Sequence, residues 1–288
     1  MTYIIGTALF ITGIALWLVM RLKAAKRKEK VRIYNGLMLL QQIHRLVELI
    51  QQHRGLSIAI RQGNDKLKYK HTAVQHDIDT LLATDKSATL NNFEQWPSFA
   101  EHWPRLQLNT LNKTLDPHHL MKQHGAVIEG LFSLVDDVAR VYRLQTIMLG
   151  TSIRMLDVCI DTLRTSETIA QARGVGSGIC ALGKSEGTDE IKLNFLKSSI
   201  ATSTSDLFDE LKTIQNPDIN IFLGGILVGI KNNSDKLVAL IDDKILTQKN
   251  IEVSAQAYFE IATIPIDELS TLFTQLISYI TKKHALEY

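Results

Sequence analysis

The feature that most restricts the fold stands at the start of the chain. Tyr3 to Met20 (YIIGTALFITGIALWLVM) carries no charge, and Arg21, Lys23, Lys26, Arg27, Lys28, Lys30 and Arg32 follow at once. At about 1.5 Å per residue, such a run comes close to covering a hydrocarbon core of about 30 Å. Trp17 sits near its end, where an interfacial anchor belongs. The order, apolar first and basic second, is the reverse of a cleaved secretory signal, and Met20-Arg21-Leu22-Lys23 offers no small-residue exit. The sequence therefore predicts a transmembrane helix at 3–20 and a basic juxtamembrane linker at 21–32. By the positive-inside rule it predicts a single pass through a bacterial inner membrane, N-terminus outside and main domain in the cytoplasm.

Beyond residue 33 the apolar residues recur at helical spacing, as in Leu40, Ile43, Val47 and Ile50, with no convincing strand alternation. Helices are expected at about 33–62, 66–84, 88–114, 117–148, 151–183, 188–215, 218–249 and 252–284. Turn signals such as Gly63-Asn64-Asp65, Asp116-Pro117 and Asn216-Pro217-Asp218 separate them. Asn64, Asp116 and Asn216 are the expected N-caps, the last two with proline at the first helical position. The expected fold is all-α: the membrane helix, then two antiparallel four-helix bundles, about 33–150 and 151–288. Ile221–Ile230 (IFLGGILVGI) is too short to span a bilayer and is expected as a buried helix.

Composition narrows the function. A net charge of +2 speaks against a general nucleic-acid binder. Cys159 and Cys180 form no CxxC pattern and fit core packing in a reducing compartment. The nine histidines show no metal-binding spacing, and His71 and His76 read as solvated helix positions. With no nucleophile-base arrangement or carboxylate pair legible, neither catalysis nor a cofactor is expected.

Two segments match each other. Glu48-Leu49-Ile50-Gln51-Gln52-His53-Arg54-Gly55 and Glu167-Thr168-Ile169-Ala170-Gln171-Ala172-Arg173-Gly174 both read E-x-I-x-Q-x-R-G. Each opens one expected half, and internal duplication is the economical explanation. Steps of three and four from Leu40 through Ile50 land on Arg54, and steps from Leu163 through Ile169 and Ala170 land on Arg173. Both arginines thus stand where a leucine is expected, and a guanidinium there needs a counter-charge. One kind of partner is an internal carboxylate such as Glu48, Glu167, Asp136 or Asp157. The other is a planar oxyanion from outside, whose edge matches the flat guanidinium fork. Gln52, Gln171, Ser57 and Ser177 are placed to add neutral hydrogen bonds, and Gly55 and Gly174 to let a helix or ligand approach.

Gln51-Gln52-His53-Arg54-Gly55-Leu56-Ser57 and Gln171-Ala172-Arg173-Gly174-Val175-Gly176 resemble the two arginine-glycine motifs of the nitrate- and nitrite-sensing (NIT) domain family. Tyr258-Phe259-Glu260-Ile261-Ala262-Thr263-Ile264-Pro265-Ile266-Asp267 resembles that family's last helix. The likeness covers roughly residues 33–288. It implies two four-helix bundles with anion binding at their interface by the motif arginines, which fall here on Arg54 and Arg173; with Gly55, Gly174, Ser57 and Ser177 from the reading of the residues above, these make up the expected ligand-binding set. The family often has an acidic residue directly before the first arginine, where this chain has His53. Members usually carry an output module, and this chain reads as a stand-alone, membrane-anchored sensor without one. The partners implied are the anion, the membrane and a cytoplasmic signalling protein, with a homodimer as a further option and no nucleic acid.

Two rival readings stay open. One is a membrane-tethered helical adaptor in which the arginines pair with internal carboxylates. The other is nucleotide binding through Gly178-Ile179-Cys180-Ala181-Leu182-Gly183-Lys184-Ser185, which fits GxxxxGK[ST] but follows a helical pattern where a strand is required.

Overall fold

The computed structural model describes residues 2–112, 115–184 and 187–286, leaving out the side chains of 2–12, 85–87, 111 and 284–286. The first helix, α1 (Thr2–Arg61), is 60 residues long. It is followed by α2 (Lys68–Leu82), the short α3 (Asp85–Leu90), α4 (Gln95–Leu111) and α5 (Pro117–Val141). A two-stranded hairpin, β1 (Met148–Leu149) paired with β2 (Ile153–Arg154), leads into α6 (Met155–Leu182). Then come α7 (Gly187–Lys212), α8 (Pro217–Ile241), a π turn at Asp242–Leu246, and α9 (Ala255–Leu286).

Among these described residues no helix is long and apolar enough to cross a membrane. That overturns the transmembrane helix expected at 3–20. With it fall the single-pass inner-membrane topology and the membrane-anchored form of the sensor. The apolar run does not form an element of its own. It opens a helix that continues unbroken through the basic block into the packed domain. Ile14, Leu16, Trp17, Leu18, Val19, Met20 and Leu22 are exposed on it; residues 3–12 of the run lie outside the described side chains.

The later part of α1 buries Ile33, Leu37, Leu40, Ile43, Val47 and Ile50, one stripe at three- and four-residue steps. It packs on α2 and α5, and α4 packs on α5. The helices α6, α7, α8 and α9 pack on one another, with α6 against α9 the most extensive contact. The two groups meet where α1 touches α6 and α9 and where α5 touches α6.

The caps explain several boundaries. Asp116 accepts from the His119 amide at 2.9 Å, and Asn216 accepts from Asp218 and Ile219 at 3.1 and 3.3 Å, each ahead of a proline. Asn64 makes no side-chain cap bond. The helix expected at 88–114 is split at Asn91-Asn92, whose turn propensity overrides the periodicity. The helix expected to reach 148 stops at Val141, because Arg143 turns left-handed at φ 58° and the hairpin follows. In α8, Leu223, Leu227 and Ile230 are buried but Ile221 and Val228 are exposed, so the run expected to be buried packs one face only.

Candidate functional site

The seam between the two helix groups gathers the buried charge. Among the described residues, Arg54, Glu167 and Arg173 are the buried members of the Asp, Glu, Lys and Arg set, at 2%, 4% and 7% exposure. Arg54 on α1 grips Glu167 on α6 as a fork, Nη1 to Oε1 at 2.5 Å and Nη2 to Oε2 at 3.0 Å. Two amides complete the carboxylate's partners: Gln51 Nε2 donates to Oε2 at 3.0 Å and Gln171 Nε2 to Oε1 at 2.9 Å. Four donors on two oxygens saturate a carboxylate, the condition under which a buried ion pair is tolerated.

Arg173 stands differently. Its Nη1 donates to Thr263 Oγ1 at 3.0 Å, and its guanidinium lies 4.7 Å from the centre of the Phe259 ring. Among the described residues it forms no ion pair. Burial, and then repulsion from Arg54, pushes its pKa down to about 10, while Asp267 and Glu167 act in the opposite sense. The three buried charges therefore sum to +1. Around them, Lys192 on α7 has its pKa lowered by burial and then by Arg54. Asp267 on α9 is exposed; burial of part of its side chain raises its pKa and Arg173 opposes that.

The matched segments are thus used unequally. Glu167 of the second reaches across to Arg54 of the first, but Glu48 of the first does not pair with Arg173 of the second. Glu48 instead pairs with Arg45 at 3.2 Å and accepts a hydrogen bond from Ser270. Residue 51 of the first segment is the glutamine that supports Glu167, whereas the matching residue of the second is Ala170, which has nothing to donate.

The other expected residues are dispersed. Ser57 donates to the His53 carbonyl at 2.6 Å and meets His71 Nε2 at 3.0 Å, so it faces the core between α1 and α2 and not the arginines. Ser177, one turn beyond Arg173 on α6, has a buried hydroxyl without a partner. A Cβ on Gly55 would meet nothing within 4 Å, while one on Gly174 would come within 2.8 Å of the Met121 methyl. Gly176 has the tightest surroundings: an added Cβ would lie 2.2 Å from Tyr258, whose hydroxyl donates to the Ala172 carbonyl at 3.0 Å. Gly176→Ala should displace Tyr258 and cost about 1–3 kcal/mol, read as a lower urea midpoint. An unchanged midpoint would contradict this packing.

A histidine cluster went unread in the sequence. His53, His71 and His124 are all buried, and His71 is thus not the solvated position its spacing suggested. His124 Nδ1 faces the Leu120 carbonyl at 2.8 Å, so it carries the proton. His124 Nε2 then accepts from His53 Nδ1 at 2.9 Å. Burial pushes His124 down to about 3, and burial, then His124 and His71, hold His53 well below the ordinary histidine value. Among the described residues no group of three or more His, Cys, Asp or Glu is arranged to hold a metal ion.

The phosphate-loop pattern falls at the wrong end of a helix. Gly178 to Leu182 lie inside α6, and Gly183 closes it in a left-handed turn at φ 69°; Ser185 lies outside the described residues. A phosphate cradle needs a helix N-terminus there. A groove of about 560 Å³ is lined by residues including His44, Arg45, Glu48 and Thr84 and contains neither buried arginine. Within that lining Arg45 pairs with Glu48 and Gln42 donates to Thr84, so its cation already has a carboxylate and the chemistry points to the charged seam.

Neither a family model nor a curated protein matches the chain. Among solved structures, the chain is similar to that described as "Structure of the NasR transcription antiterminator", with a TM-score of 0.70 and 15% identity over 95% of this chain and 74% of that one. The α1–α9 arrangement that brings Arg54, Glu167 and Arg173 together is therefore set in a fold shared with that regulator.

Proposed function

We propose that this chain is a non-catalytic signal sensor that takes a small monovalent oxyanion, nitrate or nitrite, at the seam of α1, α6 and α9. Arg173 is the main contact and Arg54 lies close by. The observation that carries this is a guanidinium 7% exposed, held by one hydroxyl and one ring, with no carboxylate among the described residues paired to it. A buried cation left so is expensive, and an anion on its open donors removes the cost. The Ser177 hydroxyl adds an unused donor one turn along the same helix. The fold shared with a transcription antiterminator and the arginine-glycine motifs support a regulatory role. The anion would favour the state in which α6 and α9 close on it, by no more than its differential affinity for the two states, and a partner protein would read the change.

Calorimetric titration of the full chain with nitrate, nitrite, chloride and sulfate tests the reading. Heat with nitrate or nitrite at millimolar concentration or below is expected, and its absence for both overturns the proposal. Arg173→Leu should raise the melting temperature of the ligand-free protein, by about 1–3 kcal/mol of stability, while abolishing the response to nitrate. A variant that loses stability and still binds would place the anion elsewhere.

A helical adaptor without a small ligand is the second reading, and the closed Arg54–Glu167 fork favours it for that arginine. It predicts melting temperatures that no anion shifts.

A further inference from the structure

Granting the anion site just proposed, we infer that Glu167 is its specificity-determining residue: by neutralising Arg54 from within, it fixes the seam at one excess positive charge and so admits planar monoanions and turns dianions away. Glu167 is a positioning and charge-setting group and does not itself touch the ligand. The argument rests on the inequality between the matched segments. At Arg54 the fork is filled by a carboxylate belonging to the chain, with two glutamine amides on its flanks. At Arg173 the corresponding glutamate, Glu48, is held by Arg45 and Ser270, and the supporting amide is replaced by Ala170. The fork on Arg54 therefore shows what shape and charge complete a fork of this kind: a flat group with two oxygens and one negative charge. An incoming ion that instead displaced Glu167 would leave a buried carboxylate stripped of four hydrogen bonds, so Glu167 stays and the ion goes to Arg173. A dianion at Arg173 would leave the seam with net negative charge in a region of weak screening. Of the charged groups nearest the seam, the half-buried Lys192 and the exposed Asp267 carry opposite charges, and Glu48 is answered by Arg45.

The test compares nitrate, formate, chloride and sulfate by calorimetry on the full chain and on variants at two positions. Glu167→Gln raises the site to two excess charges. Gln171→Lys does the same while keeping Glu167, so the test survives if the first variant fails to fold. Gln171→Glu lowers the site to zero. In the parent chain, nitrate and formate should bind and sulfate should not. Both charge-raising variants should gain sulfate binding, with a dissociation constant at least about tenfold below the highest sulfate concentration at which the parent shows no heat. The charge-lowering variant should lose nitrate binding about tenfold or more. Folded charge-raising variants with unchanged anion preference would overturn the role given to Glu167, even where the parent binds nitrate. A parent chain that binds neither nitrate nor formate contradicts the anion site itself, and the charge rule falls with it.

Discussion

Glu167→Ala should destabilise the protein by about 3–5 kcal/mol, the usual effect of removing one partner from a buried ion pair. Arg54 would be left 2% exposed with no carboxylate, in repulsive range of Arg173, and Gln51 and Gln171 would each lose an acceptor. For a chain of ordinary marginal stability this is a large share of the total. The double variant Arg54→Leu/Glu167→Leu should be far milder, because removing both ions together also removes their desolvation cost. Formate or acetate at tens of millimolar should restore part of the melting temperature of Glu167→Ala by occupying the vacated fork, a larger shift than in the double variant, which keeps only Arg173 to bind the anion. Urea unfolding with and without formate measures all three. Equal loss in the single and double variants would show that the pair contributes packing and not charge compensation.

Acid should unfold the first group of helices early. Burial lowers the folded-state pKa of His44, His53, His71 and His124, the last to about 3. In the unfolded chain each titrates near its ordinary value of about 6.5. Between the two values the unfolded state binds more protons, so stability rises with pH there. The contribution is fully present above about pH 6.5 and is lost as pH falls toward the folded-state values, at up to about 1.4 kcal/mol per pH unit for each histidine held neutral. Against this the Leu120 carbonyl favours the charged His124 through its hydrogen bond, but the charged and ring groups facing the cluster do not. His53 on α1 meets His71 from α2, Trp103 from α4 and His124 from α5, and His124 also feels Arg54, His71 and His102, all of which disfavour added charge. His44, farther up α1, has Glu48 and Arg45 beside it, pulling in opposite directions, and it stacks on Phe273 at 4.2 Å. The urea midpoint should therefore fall steeply from pH 7 to pH 5, and His124→Leu should flatten the curve. A midpoint level across that range would mean the imidazoles are not held neutral.

The helices were legible because their apolar spacing and their punctuation act locally. Asp116-Pro117 and Asn216-Pro217 cap where local chemistry requires, and the stripe from Leu37 to Ile50 is buried as its three- and four-residue steps demand. Placing Arg54 and Arg173 on apolar stripes was likewise a local deduction, and both are buried. Glu167 stood among four carboxylates that could answer Arg54, but choosing it needed the crossing of α1 with α6, which no spacing encodes. Thr263, Phe259 and Tyr258 lay in the run that resembles a family's last helix, yet their contacts with Arg173 and Gly176 arise only when α9 packs on α6. The histidines at 53, 71 and 124 were invisible as a group because three helices supply them.

The opening segment shows where local reading fails. Its charge-free run and basic block pointed to a membrane span, and the structure instead makes both part of one 60-residue helix, with no described helix long and apolar enough to cross a bilayer. Sequence alone determined which stretches coil and which faces carry apolar or charged side chains, since those depend on neighbours three and four positions away. Tertiary structure decided that one arginine meets a carboxylate of the chain and that the other, among the described residues, meets only a hydroxyl and a ring, because ion pairing depends on distances of a few ångströms between residues more than a hundred positions apart.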